Sequence, residues 1–196
     1  MITVCCLKTG NKYSSEYVNK LHSMVERNLT IPHEFVCITD NTKGVVCKTI
    51  KYEDDLPGWW GKLTFFKKRP YNLKGRILFL DLDVVILHNI DEIATFPHEF
   101  GIIRDWHCPS FNSSVFVLDI GKRRKVWDKF NERVMKRLHG DQDWITQHAK
   151  AETFPNGWCL SYKSHSVFGQ AGKIMVFHGK PNPHEVNDSW VLENWK

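Results

Sequence analysis

The stretch Leu78-Phe79-Leu80-Asp81-Leu82-Asp83-Val84-Val85-Ile86 sets two carboxylates between apolar runs. The strand expected over 76–80, with the continuous apolar run 77–80, reads as buried on both faces. Asp81 and Asp83 stand two residues apart, which on an extended backbone aims both at one face. The pair therefore falls at the C-terminal end of a buried strand, where open α/β sheets receive ligands. Two negative charges in so apolar a context are costly without a counter-charge. A hard divalent cation is the simplest one; the alternative is a solvated turn at the strand end.

Outward from this stretch, strands are expected over 2–7, 35–39 and 45–50 before it, and over 84–87, 100–104, 115–118 and 174–177 after it. Ser14 or Ser15 can cap a helix running to about Asn28, with Val18, Leu21, Met24 and Val25 as its apolar stripe. Pro57 and Gly58 break the chain before a short helix around 60–67. A long helix is expected over 122–138 and another over 141–149. The alternation predicts an α/β fold with a mixed, mostly parallel central sheet flanked by helices. No repeat, low-complexity tract or linker divides the 196 residues, so a single domain over 1–196 is expected.

Composition excludes several classes. Hydrophobic residues make up 42% and charged residues 25%, which is ordinary for a globular chain and not for a disordered one. No apolar run reaches the roughly 18 residues of a membrane span. No charged segment followed by a long apolar one opens the chain, so no signal peptide is expected. The net charge of +5 suits an anionic ligand, but no dense basic stripe with interleaved aromatics suggests nucleic acid. None of the six cysteines forms a C-x-x-C pair, and Cys5, Cys6, Cys37 and Cys47 lie in strand-like segments. Reduced thiols and a cytoplasmic location are the expectation.

Two known families follow a strand with D-x-D. In metal-dependent GT-A glycosyltransferases the pair holds Mn²⁺ or Mg²⁺; in HAD-type phosphohydrolases the first Asp is the nucleophile. A HAD domain usually opens with this strand, whereas here about 80 residues precede it. HAD enzymes also need a downstream acidic motif, and Gly140-Asp141-Gln142-Asp143 has the wrong spacing. His178, after the apolar run 174–177, can complete a site begun by Asp81 and Asp83 with oxygen and nitrogen ligands suited to Mn²⁺. Gly179 allows close backbone approach to a phosphate and Lys180 adds positive charge.

Several motifs in order carry a resemblance to a family. They are Lys12-Tyr13-Ser14 with Tyr17-Val18-Asn19, Cys37-Ile38-Thr39-Asp40 and Gly58-Trp59-Trp60-Gly61-Lys62-Leu63. Leu80-Asp81-Leu82-Asp83-Val84-Val85, Phe111-Asn112-Ser113-Ser114, Gly140-Asp141-Gln142-Asp143 and His178-Gly179-Lys180-Pro181 follow. Over nearly its whole length the chain resembles the GT-A glycosyltransferases related to glycogenin and bacterial lipopolysaccharide galactosyltransferases. It is more similar still to a group of small bacterial and viral glycosyltransferase-like proteins.

The resemblance implies that Asp81, Asp83 and His178 hold Mn²⁺ or Mg²⁺, with Leu82 between the carboxylates against the donor. It implies that Leu7, Lys8, Thr9, Gly10 and Asp40 line a nucleoside pocket and that Gly179 and Lys180 meet the diphosphate of a UDP-sugar. Lys62 matches a basic residue at the donor, Asn112, Ser113 and Ser114 the stretch facing the donor sugar, and Asp141 and Gln142 the pair beside the reacting carbon. Asp141, Asp143 and Asp105 are candidate bases, although Asp141 and Asp143 can equally charge a helix N-terminus. A nucleotide-binding half over about 1–83 and an acceptor-side half over 84–196 are implied. The acceptor would be a hydroxyl of a glycan, a lipid-linked group or a protein, bound partly by another domain or a partner. In longer relatives the His, Gly and Lys are spaced three apart, whereas here they are consecutive. Either the phosphate loop is shorter or Lys180 is not the equivalent lysine. Rival functions are a HAD-type phosphohydrolase, a nucleotidyltransferase and a non-catalytic sugar-nucleotide binder.

Overall fold

The computed structural model describes residues 1–168 and 171–196. Its main sheet has seven strands: β1 (Ile2–Lys8), β2 (His33–Thr39), β3 (Lys48–Lys51), β4 (Arg76–Leu80), β6 (Phe100–Arg104), β7 (Phe111–Asp119) and β8 (Glu152–Thr153). Their order is β3-β2-β1-β4-β7-β6-β8. The β3–β2, β2–β1, β1–β4 and β6–β8 pairs are parallel, and β7 runs antiparallel to both β4 and β6. The central strands are the most apolar because both their faces are covered. The lysine-flanked β3 stands at an edge, where such residues discourage further pairing.

Side chains alternate between two cores. Val4, Cys6, Leu78, Leu80, Val115 and Val117 face one; Cys5, Ile77, Phe79, Phe116 and Leu118 face the other. Against the first packs α1 (Ser15–Asn28), burying Tyr17, Val18, Leu21, Met24 and Val25. Against the second packs a 3₁₀ helix, Gly58–Phe66, whose Phe65 and Phe66 join an aromatic cluster with Phe79, Phe100 and Phe116. Phe79 and Phe116 stack with centroids 4.8 Å apart. α5 (Asp141–His148) covers the same face through Trp144 and Ile145.

Two strands expected near the main sheet, together with a third that the sequence pattern did not show, form a sheet of their own. β5 (Val84–Ile86), β9 (Cys159–Ser161) and β10 (Ile174–Val176) pair in the order β5-β10-β9 on the α1 side. The chain must change sheets between β4 and β5, so Asp81 and Asp83 lie on a turn, not on the extended backbone expected for them. Asp81 N donates to Ser114 O at 2.8 Å as the first sheet ends, and Phe177 N donates to Asp83 O at 3.0 Å as the second begins. Buried Leu82 anchors the turn between them.

The long helix expected over 122–138 is two single turns, α3 (Lys125–Asp128) and α4 (Glu132–Met135). The Trp144 indole donates to Val126 O at 2.8 Å, occupying a carbonyl a continuous helix would use. Phe130 N turns to Trp127 O, and the Asn131 side chain caps α4 by accepting from Arg133 N. The short segments α2 (Asp91–Ala94), α6 (Tyr162–His165) and α7 (Ser189–Asn194) complete the helices. No helix of the described residues is long and apolar enough to cross a membrane, and all six cysteines are free thiols.

Candidate active site

A cavity of about 580 Å³ opens where β1 and β4 end and β7 begins. The start of β7 is shaped for it. Pairing with β6 jumps from Ile102–Phe116 to Ile103–Asn112, leaving Ser113, Ser114 and Val115 without β6 partners. Such a bulge re-aims side chains. Asn112, Ser113 and Ser114 are buried and line the cavity. Asn112 Oδ1 accepts from Ser114 N at 3.0 Å, locking the bulge.

Lys62, from the 3₁₀ helix, reaches the cavity floor with 7% of its surface exposed. Its ammonium lies 2.7 Å from Asp81 Oδ2 and 3.2 Å from Ser113 Oγ. Burial opposes its charge, but Asp81 and Asp141 outweigh burial and hold its pKa above the ordinary lysine value. Burial and then the charge of Asp81 push Asp83 up to about 6, against the pull of Tyr13 and Lys62. The Tyr13 hydroxyl donates to Asp83 Oδ2 at 2.6 Å. Asp141 opens α5 with only 3% exposure, and burial raises its carboxyl against the opposing charge of Lys62. Its Oδ2 is buried without a hydrogen-bond partner among the described residues. Gln142 and Asp143 also face the cavity, although Asp143 Oδ2 accepts from His139 N at 3.2 Å and so supports the helix N-terminus.

His178 and Gly179 line the opposite wall. His178 stacks on Trp106 at 5.4 Å, and its Nε2 lies 2.6 Å from Ser161 Oγ. Burial and then Lys163 lower its pKa and favour the neutral ring. Asp81, Asp83 and His178 thus share one cavity. Among the described residues, however, no three His, Cys, Asp or Glu are gathered closely enough to hold a metal ion. The crowded carboxylate pair does fit a divalent cation: Asp83 is driven toward protonation, and a cation would supply the charge the proton supplies. The histidine nitrogen facing Ser161 is already engaged.

Not every residue expected at the site lines it. Leu7 and Thr9 do; Lys8, Gly10 and Asp40 do not. Gly10 N donates to Asp40 Oδ2 at 2.8 Å, tying the ends of β1 and β2 together beside the cavity. Lys180 points away, with its side chain 73% exposed and its ammonium on Glu185. Asp105 lies in a separate 270 Å³ pocket and accepts from His107 N at 2.9 Å. Lys12, Tyr13, Trp59, His139 and Gly140, none of them expected as a site residue, also line the cavity. Tyr13 meets Asp83 across seventy positions of sequence, which no local pattern reveals. The tryptophan pair divides: Trp60 is buried and stacks on Phe130, while Trp59 is 52% exposed at the cavity lip over Gly140.

By sequence, no protein-family model and no curated protein matches the chain. By shape, solved structures do. The glycosyltransferase GlyE of Streptococcus pneumoniae TIGR4 matches with a TM-score of 0.72 at 10% identity, covering 100% of this chain and 62% of that one. The galactosyltransferase LgtC, in complex with donor and acceptor sugar analogues, matches with a TM-score of 0.67 at 11% identity over 92% of this chain and 88% of its own. A glycosyltransferase involved in glycosylating the major capsid of PBCV-1 matches with a TM-score of 0.56 at 14% identity, over 92% and 94%. The chain thus spans less than two thirds of GlyE but nearly the full length of the other two. These likenesses establish the fold: a single α/β domain with a mixed, largely parallel sheet flanked by helices, as in GT-A glycosyltransferases.

Proposed function

We propose that this domain transfers a sugar from a nucleoside-diphosphate donor, a UDP-sugar in the first instance, to an acceptor hydroxyl. One observation carries the proposal. Lys62, the Asp81–Asp83 turn, the bulge at Asn112, the N-terminus of α5 and the His178–Gly179 corner converge on one cavity of a glycosyltransferase-type fold. The fold alone does not assign an activity; the buried, charge-crowded cavity supports one.

Asp81 and Asp83 would hold a Mn²⁺ or Mg²⁺, with His178 beside them. When bound, that ion would stabilise the charge gathering on the leaving diphosphate. The chain's own groups divide the remaining work. Leu7 and Thr9 offer a nucleoside contact at the end of β1. Lys62 places a positive charge against Asp81 and Asp141 in a buried setting. Asn112, Ser113 and Ser114 present short polar side chains to the donor sugar, and Asp141 Oδ2 is free to accept from a sugar hydroxyl. As the glycosidic bond breaks, the sugar gains oxocarbenium character, which nearby carboxylates and the Gln142 amide oxygen favour. Asp141 and Asp143, both on the cavity wall, would take the acceptor proton. The acceptor, a glycan, lipid-linked or protein hydroxyl, approaches from the Trp59 side.

Release of free UDP from UDP-glucose, UDP-galactose and UDP-N-acetylglucosamine, with Mn²⁺ or with EDTA, tests this. Metal-dependent release from one donor, accelerated by acceptor mixtures, is expected. Binding without release from any donor would identify a sugar-nucleotide binder instead.

A further inference from the structure

The cavity wall carries more negative than positive charge. Asp81, Asp83, Asp141 and Asp143 line it, Lys62 is engaged by Asp81, and Lys12 is the other lysine on it among the described residues. A diphosphate adds further negative charge and is recognised most strongly by charged donors. Lys180 does not supply one at the His178 corner, because its ammonium is bound to Glu185 outside the cavity.

Another ammonium stands behind that corner: it does not itself line the cavity, but it lies against Gly179, which does. β9 and β10 run parallel, with Ser161 opposite Val176, so the chain leaves both strands side by side. After β9 comes Lys163, on the first turn of α6; after β10 comes Gly179. A Cβ built on Gly179 would stand 3.1 Å from Lys163 Nζ. Gly179 has φ +80°, so a side chain there would be strained as well as crowded. Lys163 is exposed and forms no ion pair among the described residues. Its charge also reaches the His178 ring on the cavity wall.

We infer that Lys163, and not Lys180, is the ammonium that faces the donor diphosphate, across the backbone of Gly179. This rests on the nucleotide-sugar site proposed above. It also accounts for the consecutive His178, Gly179 and Lys180: the phosphate-facing lysine comes from the neighbouring strand, and Lys180 is released to pair with Glu185. Gly179 then keeps the space through which the ammonium and the phosphates meet.

Calorimetric titration with UDP and with uridine, both with Mn²⁺, separates the possibilities. The proteins are the wild type, Lys163→Gln, Lys163→Arg and Lys180→Gln. Loss of a charge-assisted contact weakens UDP binding roughly tenfold or more. That loss is expected in Lys163→Gln, with uridine binding unchanged, a shallower salt dependence and recovery in Lys163→Arg. Lys180→Gln should bind UDP within about twofold of wild type, as other exposed changes do. Wild-type UDP binding that Lys163→Gln leaves intact would overturn the assignment while the donor site stands. A wild type that binds none of UDP, GDP, CDP and dTDP would overturn the donor site and this assignment together. Melting temperatures close to wild type in all variants, expected for exposed side chains, tie the losses to the ligand.

Discussion

Lys62 Nζ lies 2.7 Å from Asp81 Oδ2 beneath the cavity, with the lysine side chain 9% and the aspartate side chain 21% exposed. The pair joins the 3₁₀ helix to the turn between the two sheets, and its charge also faces Asp141. Removing one partner of a buried pair strands the other charge and costs about 3–5 kcal/mol. Lys62→Met should therefore lower the unfolding free energy by that order in urea titrations, with loss of donor turnover. A change below about 1 kcal/mol would show that the pair is solvated.

Asp83 should govern both metal dependence and acid behaviour. Asp83→Ala is expected to abolish Mn²⁺-dependent donor turnover while leaving the circular dichroism spectrum unchanged; full activity would remove Asp83 from the metal site. Its raised pKa means that protonation favours the folded, unliganded state. The stability tied to Asp83 is fully present below the ordinary value of 3.8 and is lost as pH rises through about 6. Unliganded Asp83→Asn should thus melt above wild type near neutrality, and the gap should narrow as pH falls through about 6. Mn²⁺ competes with the same proton, so wild-type Mn²⁺ affinity should fall over that interval.

Tyr13 tunes this carboxylate. Its hydroxyl donates 2.6 Å to Asp83 Oδ2 and pulls the Asp83 pKa down. Tyr13→Phe removes that bond, so the midpoint of Mn²⁺ binding against pH should move upward. An unchanged midpoint would make the contact incidental.

The adjacent tryptophans should respond oppositely to truncation. Trp60→Ala empties a buried site against Phe130 and should cost about 3–5 kcal/mol. Trp59→Ala, at the half-exposed lip, should stay within about 0.5 kcal/mol of wild type. Trp59 fluorescence should nevertheless change when donor and acceptor mixtures fill the cavity, and Trp59→Ala should lose that change.

The apolar strands around Asp81 were legible because a strand covered on both faces is written as a continuous apolar run. The amphipathic α1 was legible from its stripe. The separate three-stranded sheet was not, since nothing in β5 or β10 says which edge each joins. The break between α3 and α4 depends on the Trp144 indole taking a carbonyl eighteen residues away, a contact no local periodicity encodes. Of the residues expected at the site, those that line the cavity include Asp81, Asp83 and His178, read from their strand ends, and Asn112 to Ser114, read through the family resemblance. Tyr13 sits in a polar loop and Trp59 on the first turn of the 3₁₀ helix, and the placement of both is set by the folded chain. Lys180 was misplaced because its ionic partner, Glu185, lies only five residues on and draws it outward.

Calorimetric titration of the purified domain with UDP, GDP, CDP and dTDP, each with and without Mn²⁺, bears most directly on the nucleotide-sugar site. Selective, Mn²⁺-dependent binding of one diphosphate is expected, and would name the donor's nucleotide. No binding of any of the four, with or without Mn²⁺, would contradict the proposed function.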